Sequence, residues 1–161
     1  MQRNFYDDVV EWDEGALNQI AELPHDDEEY RAGLDVTELV GETGFSTLER
    51  LWIRPTCDVN GILCGYTGEG AKTILPNHAM AKVSFRLVPD QSDAKIRRLL
   101  DAHLARVTPP GVTVEVEELH GGRPWKASLS GKAFEAAAEA LEEAFGTKPV
   151  LMGSGGSIPI V

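Results

Sequence analysis

Asp58-Val-Asn-Gly-Ile-Leu-Cys-Gly-Tyr-Thr-Gly-Glu-Gly-Ala-Lys-Thr-Ile-Leu-Pro76 leads through Asn77 and His78 into Ala79-Met-Ala-Lys-Val-Ser-Phe-Arg-Leu-Val-Pro89, and this stretch decides the fold. From Ala79 to Leu87 the residues alternate. Ala79, Ala81, Val83, Phe85 and Leu87 fall on one face, and Met80, Lys82, Ser84 and Arg86 on the other, which predicts a strand with one buried face. The polar face puts a guanidinium, Arg86, on a rigid element, where it can meet a carboxylate through two parallel hydrogen bonds. Upstream, Val59, Ile62, Leu63 and Tyr66 predict a second extended run over Asp58–Tyr66. The glycines of Thr67-Gly-Glu-Gly70 supply a reversal into Lys72–Leu87.

Working outward, Ser92 precedes a helical stripe of Ile96, Leu99, Leu100, Leu104 and Val107, which Thr108-Pro-Pro-Gly111 stops. Val112, Val114 and Val116 then alternate with Thr113, Glu115 and Glu117 as a further half-buried strand over Val112–Leu119. The order strand, strand, helix, strand is most of a ferredoxin-like split βαβ unit. The fold class expected is therefore α+β: an incomplete ferredoxin-like antiparallel sheet of three strands with the Ser92–Val107 helix across its apolar face. Its core would be Val83, Phe85, Leu87, Val112, Val114, Val116, Ile96, Leu99, Leu100 and Leu104. Before this unit the chain is acidic and locally helical. Asp13 can cap a helix to Leu23, Asp26 to Glu29 supply negative charge to the start of another, and Ser46-Thr-Leu-Glu49 fits a capping box. After it, a helix is predicted from Ser130 to Phe145.

Composition narrows the function. The 161 residues carry fifteen basic and twenty-six acidic side chains, a formal net charge of -11, and no basic patch interrupts it, which argues against a nucleic-acid partner. No apolar run approaches the ~20 residues of a membrane span. Cys57 and Cys64 lack Cys-x-x-Cys spacing and read as free thiols of a cytoplasmic protein. The glycine-rich loop matches neither phosphate-binding pattern. Glu28-Glu29, Glu117-Glu118 and Glu142-Glu143 read as solvated faces, and His25 and His78 have no partner at ligand spacing, so no metal is expected on this chain. Gly153-Ser-Gly-Gly-Ser157 offers backbone N–H groups and two hydroxyls, a possible cradle for an oxyanion or carboxylate. Ile-Pro-Ile-Val161 resumes an apolar segment after it, as though the native protein continues.

Taken together, Asn60-Gly-Ile62, Gly65-Tyr-Thr-Gly-Glu-Gly-Ala-Lys-Thr73, Ile74-Leu-Pro76, Phe85-Arg-Leu-Val-Pro89, His120-Gly-Gly-Arg-Pro-Trp125 and Gly155-Gly-Ser-Ile-Pro159 resemble the carnosinase-like branch of the two-domain metallopeptidases. That family also includes glutamate carboxypeptidase, acetylornithine deacetylase and succinyl-diaminopimelate desuccinylase. The resemblance implies that residues 1–119 are the later part of a lid, or dimerisation, domain and that residues 120–161 return into a catalytic domain. It implies a parent that is a homodimeric dipeptidase or amidohydrolase with two zinc ions, cleaving a peptide or N-acyl amide bond of a small carboxylate-bearing substrate. The metal ligands would lie outside this chain, leaving the chain alone inactive.

By motif, Asn60, Thr73, Arg86, His120 and Ser157 match substrate-holding positions. Two positions depart from the pattern: Asn60 stands where carnosinases carry a histidine supplied across the dimer, and Gly153-Ser154 replaces their Arg-Glu. A standalone dimerisation or binding module is the alternative expectation.

Overall fold

The computed structural model describes residues 2–128 and 130–154. In chain order the elements are α1 (Gln2–Phe5), α2 (Glu14–Ala21), α3 (Asp27–Gly33), α4 (Thr47–Trp52), β1 (Thr56–Cys64), β2 (Ala79–Arg86), α5 (Asp93–Val107) and α6 (Lys132–Phe145). Among the described residues this is an α+β fold with one two-stranded antiparallel sheet. Among the described residues no helix is long and apolar enough to cross a membrane.

The short helices start where local chemistry places them. Asp13 accepts from the Ala16 N–H at 2.8 Å, and Asp26 accepts from the Glu28 and Glu29 N–H groups at 2.8 and 3.2 Å. Ser46 and Glu49 close a reciprocal capping box, at 3.3 Å from the Glu49 N–H to Ser46 Oγ and 2.5 Å from the Ser46 N–H to the Glu49 carboxylate. Each satisfies N–H groups that a helix start leaves orphaned. At α5 the Ser92 hydroxyl makes no such bond; Asp93 accepts from the Ala94 N–H instead.

Strands β1 and β2 pair from Thr56↔Arg86 to Cys64↔Ala79, with a register shift between Val59 and Gly61 that leaves Asn60 as the extra residue of a β-bulge. The bulge changes the parity of β1. Val59 and Ile62, three residues apart, therefore lie opposite Val83 and Ala81 and share the Phe85 face. Without it Ile62 would fall among Asp58, Lys82 and Ser84.

Three expectations are corrected here. Residues 72–78 are not strand, because the glycine-rich connection and Pro76 delay pairing until Ala79. Residues 112–119 alternate but form no third strand: Arg97 of α5 donates to the Val116 carbonyl at 3.1 Å and pairs with Glu118 at 3.2 Å, which holds the segment along the helix. The core is also only partly where expected. Among the described residues Ile96 is buried as predicted, but its buried apolar companions are Phe5, Ile53 and Val88, whereas Val83, Val112 and Val114 are 42%, 54% and 45% exposed.

The reason is Phe5, which enters at the base of the sheet. Its ring lies 6.2 Å from that of Phe85, and its carbonyl accepts from the Gln91 side chain at 2.8 Å; the other end of that buried amide accepts from the Val88 N–H at 3.0 Å. The base of the hairpin, α1 and the start of α5 thus close one small core, and among the described residues every buried side-chain N or O atom is paired. Beyond it, the apolar face carrying Val59 and Ile62 is open. The whole chain exposes 13088 Å², against about 7,900 Å² for a compact chain of this size.

A second cluster fixes the entry to β1. The Arg54 guanidinium forks onto Glu42 at 2.8 and 2.7 Å and lies over the rings of Phe45 and Tyr6, 4.2 and 5.0 Å from their centroids. Hydrogen bonding from Arg54 holds the Glu42 carboxyl below its ordinary value, and burial pushes the Tyr6 phenol up. Ile53 and Pro55 on either side of Arg54 are buried. The strand that faces Arg86 is therefore anchored before its first residue.

Candidate substrate-holding hairpin

Arg86 ends β2 on the exposed polar face, opposite Thr56, with Lys82 and Ser84 on the same face. Across the ladder, Thr56 donates from Oγ1 to Asp58 Oδ2 at 2.6 Å, and Asp58 pairs with Ser84, diagonal to Arg86. Arg86 already has an interaction within the chain. An arginine so placed keeps its planar fork on a strand whose base is packed, the arrangement suited to gripping a carboxylate.

His120 is exposed and belongs to this same end. A Cβ on its neighbour Gly121 would sit 3.4 Å from the Asp93 carboxylate in the first turn of α5, close to Gln91 and so to Phe5 and Phe85.

Thr73 belongs to the other end, in the connection between the strands. Its neighbours Lys72 and Ile74 line a surface depression with Leu63, Cys64 and Tyr66, beyond the last pair of the ladder. Tyr66 organises that connection. Its hydroxyl donates to the Glu69 carbonyl at 3.1 Å, its ring crosses Gly68 so closely that a side chain there would collide, and Lys72 Nζ lies 5.3 Å from its centroid. Sequence reasoning took Tyr66 only as a strand residue; the signal available was an aromatic next to a run of glycines small enough to lie under it.

Asn60 lies between the two ends, exposed and at the bulge. Bulges re-aim a side chain out of the alternation of the ladder, so the one residue of β1 freed from pairing is the one the motif marks. Ser157 lies outside the described residues.

Two groups can be set aside as reactive centres. Burial, then the nearby Asp58 charge, push the Cys57 thiol up, which keeps it protonated and a poor nucleophile. Among the described residues no group of three or more His, Cys, Asp or Glu side chains could hold a metal ion.

The hairpin thus separates its candidate residues. Ala79 and Arg86 are the two ends of β2, about 23 Å apart at the rise of a strand, with Thr73 past one and Arg86 at the other. One copy of the chain sets the segment of His120 against the start of α5, beyond the Arg86 end of β2, and sets Thr73 past the other end.

Comparison with known proteins gives the family. Residues 14–112 match the family model described as the peptidase dimerisation domain, M20_dimer. Human Beta-Ala-His dipeptidase is 30% identical over 158 residues, covering 96% of this chain and 31% of that protein; the Cys-Gly metallodipeptidase dug1 of Schizosaccharomyces pombe is 29% identical over 160 residues, covering 91% and 34%. Among solved structures, an M20 family metallo-carboxypeptidase from Sulfolobus solfataricus superposes with a TM-score of 0.83 at 37% identity, covering 98% of this chain and 36% of that one. Human carnosine dipeptidase 1 gives 0.79 at 30% identity, covering 98% and 34%. The chain spans about a third of the length of these relatives.

Proposed function

This chain belongs to the M20 peptidase dimerisation-domain family, and from that premise we propose that it serves a homodimeric, zinc-dependent dipeptidase or amidohydrolase as the part that joins two subunits and holds the substrate. Residues 1–119 act as the dimerisation domain and residues 120–161 as the return into the catalytic domain. The substrate is a small dipeptide or N-acyl amino acid with a free carboxylate, and Arg86 is its clamp. The relatives are named as dipeptidases and metallopeptidases, which supports the reaction class. The two unpaired thiols suit a reducing compartment, the cytoplasm.

The observation that carries this reading is the spacing along the hairpin. A dipeptide fully extended spans about 7 Å, whereas Arg86 and the Thr73 connection stand at opposite ends of a strand about 23 Å long. One small substrate cannot touch both in the same chain. In a two-fold dimer, Arg86 of one chain and Thr73 of the other can face one substrate, and the hairpin then runs between two equivalent sites.

Arg86 fixes the carboxylate end through its fork. The Thr73 hydroxyl, and the Asn60 amide at the bulge, supply neutral hydrogen bonds to the rest of the substrate. On this reading the zinc ions would be held by other parts of the parent protein.

The test is hydrolysis by the complete protein of a panel of dipeptides and N-acyl amino acids, each beside its C-terminal amide. Cleavage of the free acids that falls at least about tenfold for the amides, and that is lost on exhaustive chelation, is expected. Equal cleavage of acids and amides would overturn the clamp, and full activity after chelation would overturn the metal requirement.

A further inference from the structure

Two tryptophans of the acidic N-terminal third reach the last third of the chain. Lys126 Nζ lies 3.8 Å from the centroid of Trp12, and Gly153 packs directly on Trp52, the last residue of α4. A Cβ on Gly153 would stand 2.5 Å from Trp52 Cβ and 2.7 Å from Cγ. Carbon atoms do not approach so closely in a packed protein. These are the atoms nearest the helix backbone, so no rotation of the indole relieves the conflict, and α4 itself is held by its capping box and by buried Ile53.

We propose that Trp52 is a positioning residue for the Gly153–Ser154 segment, and that positions 52 and 153 form one coupled pair in which the tryptophan fills the volume a side chain at 153 would need. The inference rests on the reading of residues 120–161 as the return into a catalytic domain and extends it. The glycine-rich segment that precedes the Ser157 motif takes its place from a helix of the dimerisation domain.

The experiment compares Trp52→Phe, Trp52→Gly, Gly153→Ala and the double variant Trp52→Gly/Gly153→Ala in the complete protein, by hydrogen exchange of residues 150–154 and by dipeptide kinetics. Trp52→Phe keeps Cβ and Cγ and is expected to behave as the parent. Trp52→Gly should speed exchange of residues 150–154 about tenfold or more. Gly153→Ala should raise KM about fivefold or more while kcat changes less than about twofold, and adding Trp52→Gly should restore most of the loss. A merely structural contact would shift the melting temperature and leave KM alone. Unchanged exchange in Trp52→Gly, or a double variant no better than the product of the singles, overturns the proposal. If the complete protein hydrolyses no dipeptide, the enzymatic reading fails, and exchange in Trp52→Gly still decides the contact.

Discussion

Replacing Arg54 by lysine keeps the positive charge and removes the planar fork, and the structure sets what that should cost. Arg54 makes two bonds to Glu42, at 2.8 and 2.7 Å, with side chains 16% and 32% exposed. A lysine can keep one of them, so one charge-assisted bond is lost, about 1.5 kcal/mol at the low end for a partly shielded pair. The guanidinium also lies over Phe45 and Tyr6, and losing both face contacts removes about 0.5 kcal/mol more. The total is about 2 kcal/mol, which in a chain of this length lowers the melting temperature by about 4–8 °C. Thermal denaturation of Arg54→Lys beside the parent measures it. The sign with pH follows from the depressed Glu42 carboxyl: the unfolded chain binds its proton first, so the contribution is complete above the ordinary carboxylate range and disappears as pH falls through the lower folded value. A lysine variant within about 0.5 kcal/mol of the parent, or a difference that grows as the pH falls, would refute the reasoning.

Other perturbations act at the hairpin. Phe85→Ala should destabilise by about 2 kcal/mol, below the 3–5 typical of a fully buried ring because Phe85 is half-buried and its main partner is Phe5; chemical denaturation checks it. Arg86→Lys in the complete protein should lower kcat/KM by about 30-fold or more through loss of the fork, with the melting temperature hardly changed. Tyr66→Phe loses the bond to the Glu69 carbonyl and should speed amide exchange in residues 66–72 about threefold to tenfold, with no change in the β1–β2 ladder.

The parts of the fold legible in the sequence are those with local causes. Asp13, Asp26 and the Ser46–Glu49 box each satisfy N–H groups within three residues, and the alternation from Ala79 to Arg86 survives as a strand. The bulge at Asn60 was not legible, because it exists only relative to β2: spacing alone makes Val59 and Ile62 look mismatched, and pairing with Val83 and Ala81 makes them neighbours. Residues 112–119 have the pattern of a strand but no ladder to join, and Arg97 captures them. Ile96 is buried as its helical stripe predicts, but Phe5, Ile53 and Val88 complete the core in place of Val83, Val112 and Val114, because no described element covers the outer part of the sheet. At the candidate site, sequence marks Arg86 and Thr73 as residues of one hairpin; only the extent of β2 and the fold of the connection around Tyr66 place them at opposite ends.

That separation is tested most directly by hybrid dimers. Arg86→Ala and Thr73→Val are each inactivating on this account, and in a mixed dimer both changes fall on one site while the other site is left intact. Co-expression of equal amounts makes half of the dimers mixed, so about one quarter of the parental activity should return. Activity no higher than the mean of the two separate variants would contradict the account, since it would mean that Arg86 and Thr73 of one chain serve the same site.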